Sequence, residues 1–260
     1  MVEPRLAESR LATELSGAID RGEIILLFQP QVDLASGKVV AVEALCRWIH
    51  QDFGLLLPYA FIPVAEASGQ ISRIGEFVIE EACAALQDWD IEGIALEMAI
   101  NVSPLQLALP RFAQHLFDTV DRFEIDPSRL TVEITENEPI TDIHAALAAL
   151  HTLNDAGVVI SVDDYGAGHS SLSRLDDLPA RELKLDQSLV TDESTENYKH
   201  LVDVIAFAHE RSVRVVAEGI ETKAQLERAR ELGCDRGQGF LLGRPMSGRQ
   251  IEKLMLTPQN

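Results

Sequence analysis

Val158-Val159-Ile160-Ser161-Val162 is a short, nearly all-apolar run that stops on two adjacent carboxylates, Asp163-Asp164. A run of this kind, rich in β-branched residues, reads as a strand covered on both faces, as in a parallel sheet. The same pattern recurs along the chain. Val39–Leu45 closes on Glu43-Ala44-Leu45 and leads into Arg47; Ala99–Val102 carries Asn101; Leu130–Ile134 carries Glu133 and is followed by Glu136. Glu182–Leu185 carries Lys184 and leads into Asp186, and Val213–Ala217 ends at Glu218. Polar groups delivered to the ends of successive buried strands are how a β/α barrel builds an active site at its C-terminal mouth.

Ile24–Gln29 and Gly237–Leu242 complete a set of about eight strands. Helical patterns separate most of them. Ile71–Trp89 is amphipathic, and so is Leu105–Phe123, interrupted at Pro110. Thr141 precedes Ile143–Ala156, which Gly157 ends; Thr222 and Gln225 have capping-box spacing before a helix stopped by Gly233; Tyr198–Glu210 and Arg249–Leu256 complete the set. One junction departs from the alternation. Pro30 to Lys38 is too short for a crossover helix, and Asp33, Ser36 and Gly37 make it a hairpin-like turn. The first strand is therefore expected to run antiparallel to the second. Phe53–Pro63 is expected to be a Pro-punctuated loop walling the pocket. The fold expectation is α/β: a modified TIM-type (β/α)8 barrel with an antiparallel first strand, one domain over residues 1–260, with residues 1–14 a linker or an N-terminal lead helix.

A formal net charge of −20 argues against a general DNA or anionic-membrane binder. An anionic ligand would have to be met by local cations or metals. Three scattered cysteines, without a C-x-x-C pair, argue against a disulfide framework and suit a reducing compartment. No apolar stretch approaches the roughly 20 residues of a membrane-spanning helix. The first residues lack a signal-peptide core, and Leu11, Leu15, Ala18 and Ile19 share one helical face instead. The expected location is cytoplasmic.

The strand-end acids Glu43, Glu133, Asp163, Asp164 and Glu218 would converge at the barrel mouth. Packed together without cations they would repel and raise one another's pKa. Divalent metals relieve that repulsion, and an oxygen-dominated set with one amide, Asn101, suits Mg²⁺ or Mn²⁺ over zinc. Two such ions about 4 Å apart are suited to phosphoester hydrolysis. By strand alternation Lys184 and Asp186 share a face, where the ammonium can orient water and offset phosphate charge. Arg47 can hold a phosphate bidentately. Gln29 and Gln238 have donors and acceptors for a base or ribose edge. The loop Asp163–Ser171 lacks the spacing of a phosphate-binding P-loop, and reads as a segment that positions the aspartates.

The motifs Phe28-Gln29-Pro30, Glu43-Ala44-Leu45-x-Arg47-Trp48, Phe61-Ile62-Pro63-x-Ala65-Glu66 and Asn101-Val102-Ser103-x-x-Gln106-Leu107 stand in order along the chain. Glu133-Ile134-Thr135-Glu136, Asp163–Gly168, Leu183-Lys184-Leu185-Asp186, Ala217–Thr222 and Gln238-Gly239-Phe240 follow them. Together they resemble the EAL domain family, whose active members are bacterial cyclic di-GMP phosphodiesterases, over roughly Leu15 to Leu254. The resemblance implies one or two Mg²⁺ or Mn²⁺ ions on Glu43, Asn101, Glu133, Asp163, Asp164 and Glu218, with Ca²⁺ inhibitory. It implies that Lys184 helps activate water and that Gln29, Arg47, Asp186, Glu221 and Gln238 line the substrate site. Glu136 would brace the Asp163–Ser171 loop, which in this family lies near a homodimer surface. The product would be linear pGpG, and a fused sensory or cyclase domain is a common companion. Ala167 and His169 replace a usual Thr and Tyr in that loop, which bears on rate and regulation.

Three functions fit this reading: a metal-dependent phosphodiesterase, a catalytically silent cyclic di-GMP receptor acting through a partner, and a scaffold that no longer binds nucleotide. The intact set of acids favours the first.

Overall fold

Ile24–Asp33 (β1) and Val39–His50 (β2) are joined by a turn in the computed structural model, which describes residues 4–135, 142–167, 178–192 and 194–257. Asp33 shapes that turn. Its carboxylate accepts from the Ser36 amide at 2.7 Å and from the Ser36 hydroxyl, and Gly37 supplies a φ of +72°. The strands pair antiparallel with Gln29 opposite Glu43, as the short junction requires.

β2 then pairs antiparallel with Gly54–Leu56 (β3) and parallel with Glu97–Asn101 (β4). The parallel series continues through Leu130–Thr135 (β5), Val159–Tyr165 (β6), Glu182–Leu185 (β7), Arg214–Ala217 (β8) and Arg236–Gln238 (β9). β9 returns antiparallel to β1, so eight strands close a barrel and β3 hangs on β2. The register sets Asn101 beside Glu133 and Asp163 beside Thr135, which holds these side chains near one level.

Helices cover the barrel: Pro4–Leu15 (α1), Pro58–Ala67 (α2), Ile71–Ile91 (α3), Pro104–Leu107 (α4), Phe112–Arg122 (α5), Ile143–Asp155 (α6), Gln187–Thr191 (α7), Thr195–Glu210 (α8), Lys223–Leu232 (α9) and Gly248–Leu256 (α10). α3 buries Ile71, Ile74, Val78, Ile79, Ala82, Leu86 and Trp89, the three- and four-residue spacing of a one-sided helix. α8 lays Leu201, Val204, Ile205 and Ala208 on the outward Leu183, Leu185, Val215 and Ala217 of β7 and β8. Each such aliphatic side chain contributes about 1.5–3 kcal/mol when taken fully out of water. Cys46, Cys83 and Cys234 are all free thiols. No helix among the described residues is long and apolar enough to cross a membrane.

Two expectations are corrected. Phe53–Pro63 is no loop: it forms β3 and the first turns of α2. Pro58 stands at the first helical position, where its missing N–H is not needed, so this proline marks a helix start. The last strand stops at Gln238, and residues 239–243 turn back, with the amides of Leu242 and Gly243 both donating to the Gly239 carbonyl at 3.0 Å. The apolar run through Phe240, Leu241 and Leu242 hides that stop. The interruption expected at Pro110 is present: the Leu105–Phe123 segment forms α4 and α5 on either side of it. At the next helix Asp142 is the cap, its carboxylate accepting from the Ala145 amide at 3.0 Å, whereas Thr141 lies outside the described residues.

Candidate active site

β7 is four residues long and wholly buried. Leu183 and Leu185 face α8, so alternation sends Lys184 into the barrel. Its side chain is 1% exposed, and the ammonium lies 2.8 Å from Glu218 Oε1, 3.1 Å from Glu133 Oε1, 3.1 Å from Asp163 Oδ1 and 3.7 Å from Glu43 Oε2. Acids carried by β2, β5, β6 and the end of β8 thus gather around one cation. Glu43 is held from two further sides: Oε1 accepts from Asn101 Nδ2 and Oε2 from Gln238 Nε2, both at 2.6 Å. Gln238 Nε2 also reaches Gln29 Oε1 at 3.3 Å, and its own oxygen accepts from Gln31 Nε2 at 3.0 Å. Gln31 is buried and was not among the expected residues; its signal is that it stands two positions from Gln29, on the same strand face.

Adjacent residues of a regular strand point to opposite faces, yet Asp163 and Asp164 converge. The pairing of β6 with β7 is irregular between Val162 and Tyr165, and Asp164 takes a φ of +57°. A non-glycine residue in that region is uncommon and stores strain that marks functional positions. The Asp164 amide donates to Asp163 Oδ1 at 2.9 Å. Carboxylate oxygens of Asp163, Asp164 and Glu218 lie within 4.8 Å of one another.

Electrostatics divide these acids. Burial opposes ionisation of Glu43, but Lys184 and the two amide donors outweigh it and hold its pKa below the usual range. Glu133 goes the other way. Burial raises it well above the usual range against the pull of Lys184, and the neighbouring acids Glu43 and Asp163 add to the rise. Glu218 is pushed up to about 8 by burial, and Asp164 is raised by burial and by Asp163. Lys184 is raised well above its ordinary value: desolvation works against its charge, and Asp163, Glu133, Glu218 and Glu43 prevail. One ammonium therefore does not neutralise the cluster. Glu133 is buried with no hydrogen bond to either oxygen among the described residues, and its Oε1 is met by the Lys184 ammonium at 3.1 Å. Clustered carboxylate oxygens beside an amide oxygen are the donor set of a hard divalent cation such as Mg²⁺ or Mn²⁺.

A cleft of about 320 Å³ opens beside the cluster. Of the expected residues, Gln29, Glu43, Asp186, Glu218, Glu221 and Gln238 line it; Gln187, Gly219, Gly239 and Phe240 join them. Asp186 also caps α7, accepting from the Ser188 amide at 2.9 Å. Gly239 is required where two rim segments cross, because a Cβ there would lie 2.2 Å from the Ile220 amide nitrogen. Phe240 is half exposed in the cleft, with the Arg244 guanidinium 4.3 Å from its ring centre. Gln187 carries no sequence signal of its own. Arg47 is buried next to the cleft rather than lining it. Its guanidinium donates to the Cys46 carbonyl at 2.9 Å, and burial lowers its pKa against the attraction of Glu43. Glu136 and residues 168–171 of the loop lie outside the described residues.

The family model described as EAL domain matches residues 12–245. The bifunctional diguanylate cyclase/cyclic di-GMP phosphodiesterase MucR of Pseudomonas aeruginosa is 39% identical over 245 residues, covering 93% of this chain and 36% of that protein. The cyclic di-GMP phosphodiesterase PA2567 of the same organism is 37% identical, covering 93% of this chain and 42% of that protein. The chain thus spans well under half the length of these curated relatives. The solved structure of the PaMucR phosphodiesterase in complex with c-di-GMP superposes with a TM-score of 0.86 at 38% identity, over 93% of this chain and 99% of that one.

Proposed function

Because this chain belongs to the EAL domain family, we propose that it hydrolyses cyclic di-GMP to linear pGpG with the help of divalent metal ions. The observation that carries this reading is the cluster of Glu43, Glu133, Asp163 and Glu218 around Lys184, four buried or nearly buried carboxylates sharing one ammonium. Glu43, Asn101, Glu133, Asp163, Asp164 and Glu218 are the residues that would hold Mg²⁺ or Mn²⁺. Bound there, the ions would neutralise the excess acid, clamp the phosphodiester and lower the pKa of the attacking water.

The chain's own groups divide the remaining work. Lys184, its pKa raised, stays protonated at neutral pH; it acts as a fixed cation and donor that orients water, and is no general base. Arg47 supplies positive charge toward a phosphate. Gln29, Asp186, Glu221 and Gln238 present polar edges to the nucleotide from the cleft wall. Glu218, able to hold a proton near neutral pH without metal, releases it as a cation binds.

Incubating the purified chain with cyclic di-GMP tests the proposal. Linear dinucleotide should appear with Mn²⁺ or Mg²⁺, disappear with EDTA, and fall sharply when Ca²⁺, larger and loosely coordinated, replaces them. No linear product with either Mn²⁺ or Mg²⁺ would overturn it.

A further inference from the structure

Asn101 is the last residue of β4 and is exposed at the mouth, so no packing fixes its amide. Its Nδ2 donates to Glu43 at 2.6 Å, which leaves its oxygen as the atom free to meet a cation. The neighbouring backbone is tied down elaborately. The Val102 amide donates to the Glu133 carbonyl at 3.0 Å. Ser103 then starts α4 as its cap: its amide donates to Gln106 Oε1 at 3.0 Å and its hydroxyl accepts from the Leu105 amide at 3.3 Å. Gln106 is buried in a space that exists because residue 75 on α3 is glycine, since a Cβ there would lie 1.6 Å from Gln106 Nε2. The Ser103 hydroxyl donates its proton to Glu66 Oε1 on α2. α2 follows the hairpin of β2, the strand that carries Glu43.

We infer that Glu66 and Ser103 are positioning residues for Asn101: their hydrogen bond clamps the β4–α4 turn so that the Asn101 amide keeps its oxygen toward the metal-holding acids. This rests on the metal centre proposed above. The physical case is one of leverage. Only Val102 separates Asn101 from the clamp at Ser103, and a strand end held on only one side swings when its turn is freed. A hydrogen-bonded carboxylate behind a ligand is a common way of fixing a ligand's orientation, and its loss typically lowers metal affinity about 10- to 100-fold.

The test is Mn²⁺ titration of the full chain without nucleotide, on Glu66→Ala, Glu66→Gln, Ser103→Ala and the Glu66→Ala/Ser103→Ala double variant, each confirmed folded by thermal unfolding. Glu66→Ala should weaken Mn²⁺ binding about tenfold. Ser103→Ala should do the same, and the double variant should be no worse than Ser103→Ala, because the Glu66–Ser103 bond is already gone there. Glu66→Gln keeps an oxygen acceptor and should restore most of the affinity. Where Ser103→Ala loses its cap and unfolds, Ser103→Thr keeps the hydroxyl and should bind like the unaltered chain. In turnover, saturating Mn²⁺ should return kcat and leave KM for cyclic di-GMP unchanged. Folded Glu66→Ala with unaltered Mn²⁺ affinity overturns the inference, as does Glu66→Gln as weak as Glu66→Ala, which would make the charge rather than the bond responsible. A tenfold split in Mn²⁺ affinity in a chain that never cleaves cyclic di-GMP supports the inference and overturns the enzymatic reading alone.

Discussion

Lys184→Met removes the cation at the centre of the acidic cluster and keeps most of the side chain's unbranched length. The lysine side chain is 1% exposed and its ammonium contacts four carboxylates at 2.8–3.7 Å, so its loss leaves buried charge without a counterion. Breaking a buried pair by deleting one partner costs about 3–5 kcal/mol. The acids can escape by taking up protons, which sets a ceiling. Glu133 and Glu218 already lean toward the protonated form, so the burden falls on Glu43, held below its usual range. Protonating an ordinary carboxyl of pKa about 4.3 costs about 4 kcal/mol at pH 7.5 and under about 2 kcal/mol at pH 5.5, at about 1.36 kcal/mol per unit. The variant should therefore lose about 3–4 kcal/mol at pH 7.5 and about half that at pH 5.5. The sign follows from linkage: carboxyls whose pKa rises on folding keep protons that the unfolded chain releases, so the variant weakens as pH climbs. Urea unfolding in EDTA measures both values. Mn²⁺ at about a hundred times its Kd should return about 2.7 kcal/mol, since it binds only the folded form. A variant within about 1 kcal/mol of the unaltered chain at pH 7.5, or a deficit that does not shrink at pH 5.5, would refute the argument.

Glu43→Gln and Asp163→Asn should each abolish turnover of cyclic di-GMP while leaving the circular dichroism spectrum of the fold intact; near-normal rates in either would show that the site is misassigned. Arg47→Ala should raise KM for cyclic di-GMP about 10- to 100-fold, the loss of about 1.5–3 kcal/mol from charged hydrogen bonds, with Mn²⁺ affinity little changed by titration. Without metal, the stability contributed by Glu218 is present below pH about 4.5 and lost as pH rises through about 8, because folding raises its pKa; urea midpoints in EDTA should fall across that window. Mn²⁺ affinity, measured calorimetrically, should rise over the same window as protons cease to compete.

Much of this protein is legible in its sequence because the barrel is built from local rules. β-branched runs make strands, a nine-residue Pro30–Lys38 junction with Asp33 and Gly37 makes a hairpin, and the antiparallel first pair follows from length alone. The acids are visible for the same reason: each stands within or just after an apolar strand run, where a polar group has nothing to do in a core; Glu43 and Glu133 lie inside β2 and β5, Asp163, Asp164 and Glu218 at strand ends. Local rules also mislead where two structures share one composition. Phe53–Pro63 has the prolines and glycine of a loop, yet Pro58 starts a helix; Phe240-Leu241-Leu242 has the apolarity of a strand, yet the chain turns at Gly239.

Only closure of the sheet decided the rest. Glu43 and Glu218 are distant in the chain and meet at Lys184 because β1 joins β9 and completes the ring. In Glu182-Leu183-Lys184-Leu185, alternation places the lysine opposite the leucines, but which face lies inside depends on α8 covering Leu183 and Leu185. Asp163 and Asp164 converge through a bulge and one positive φ, a backbone state that no residue type at position 164 announces. Side-chain identity and spacing are properties of the chain, whereas burial, and with it the shifted charges of the site, belongs to the neighbours that folding brings.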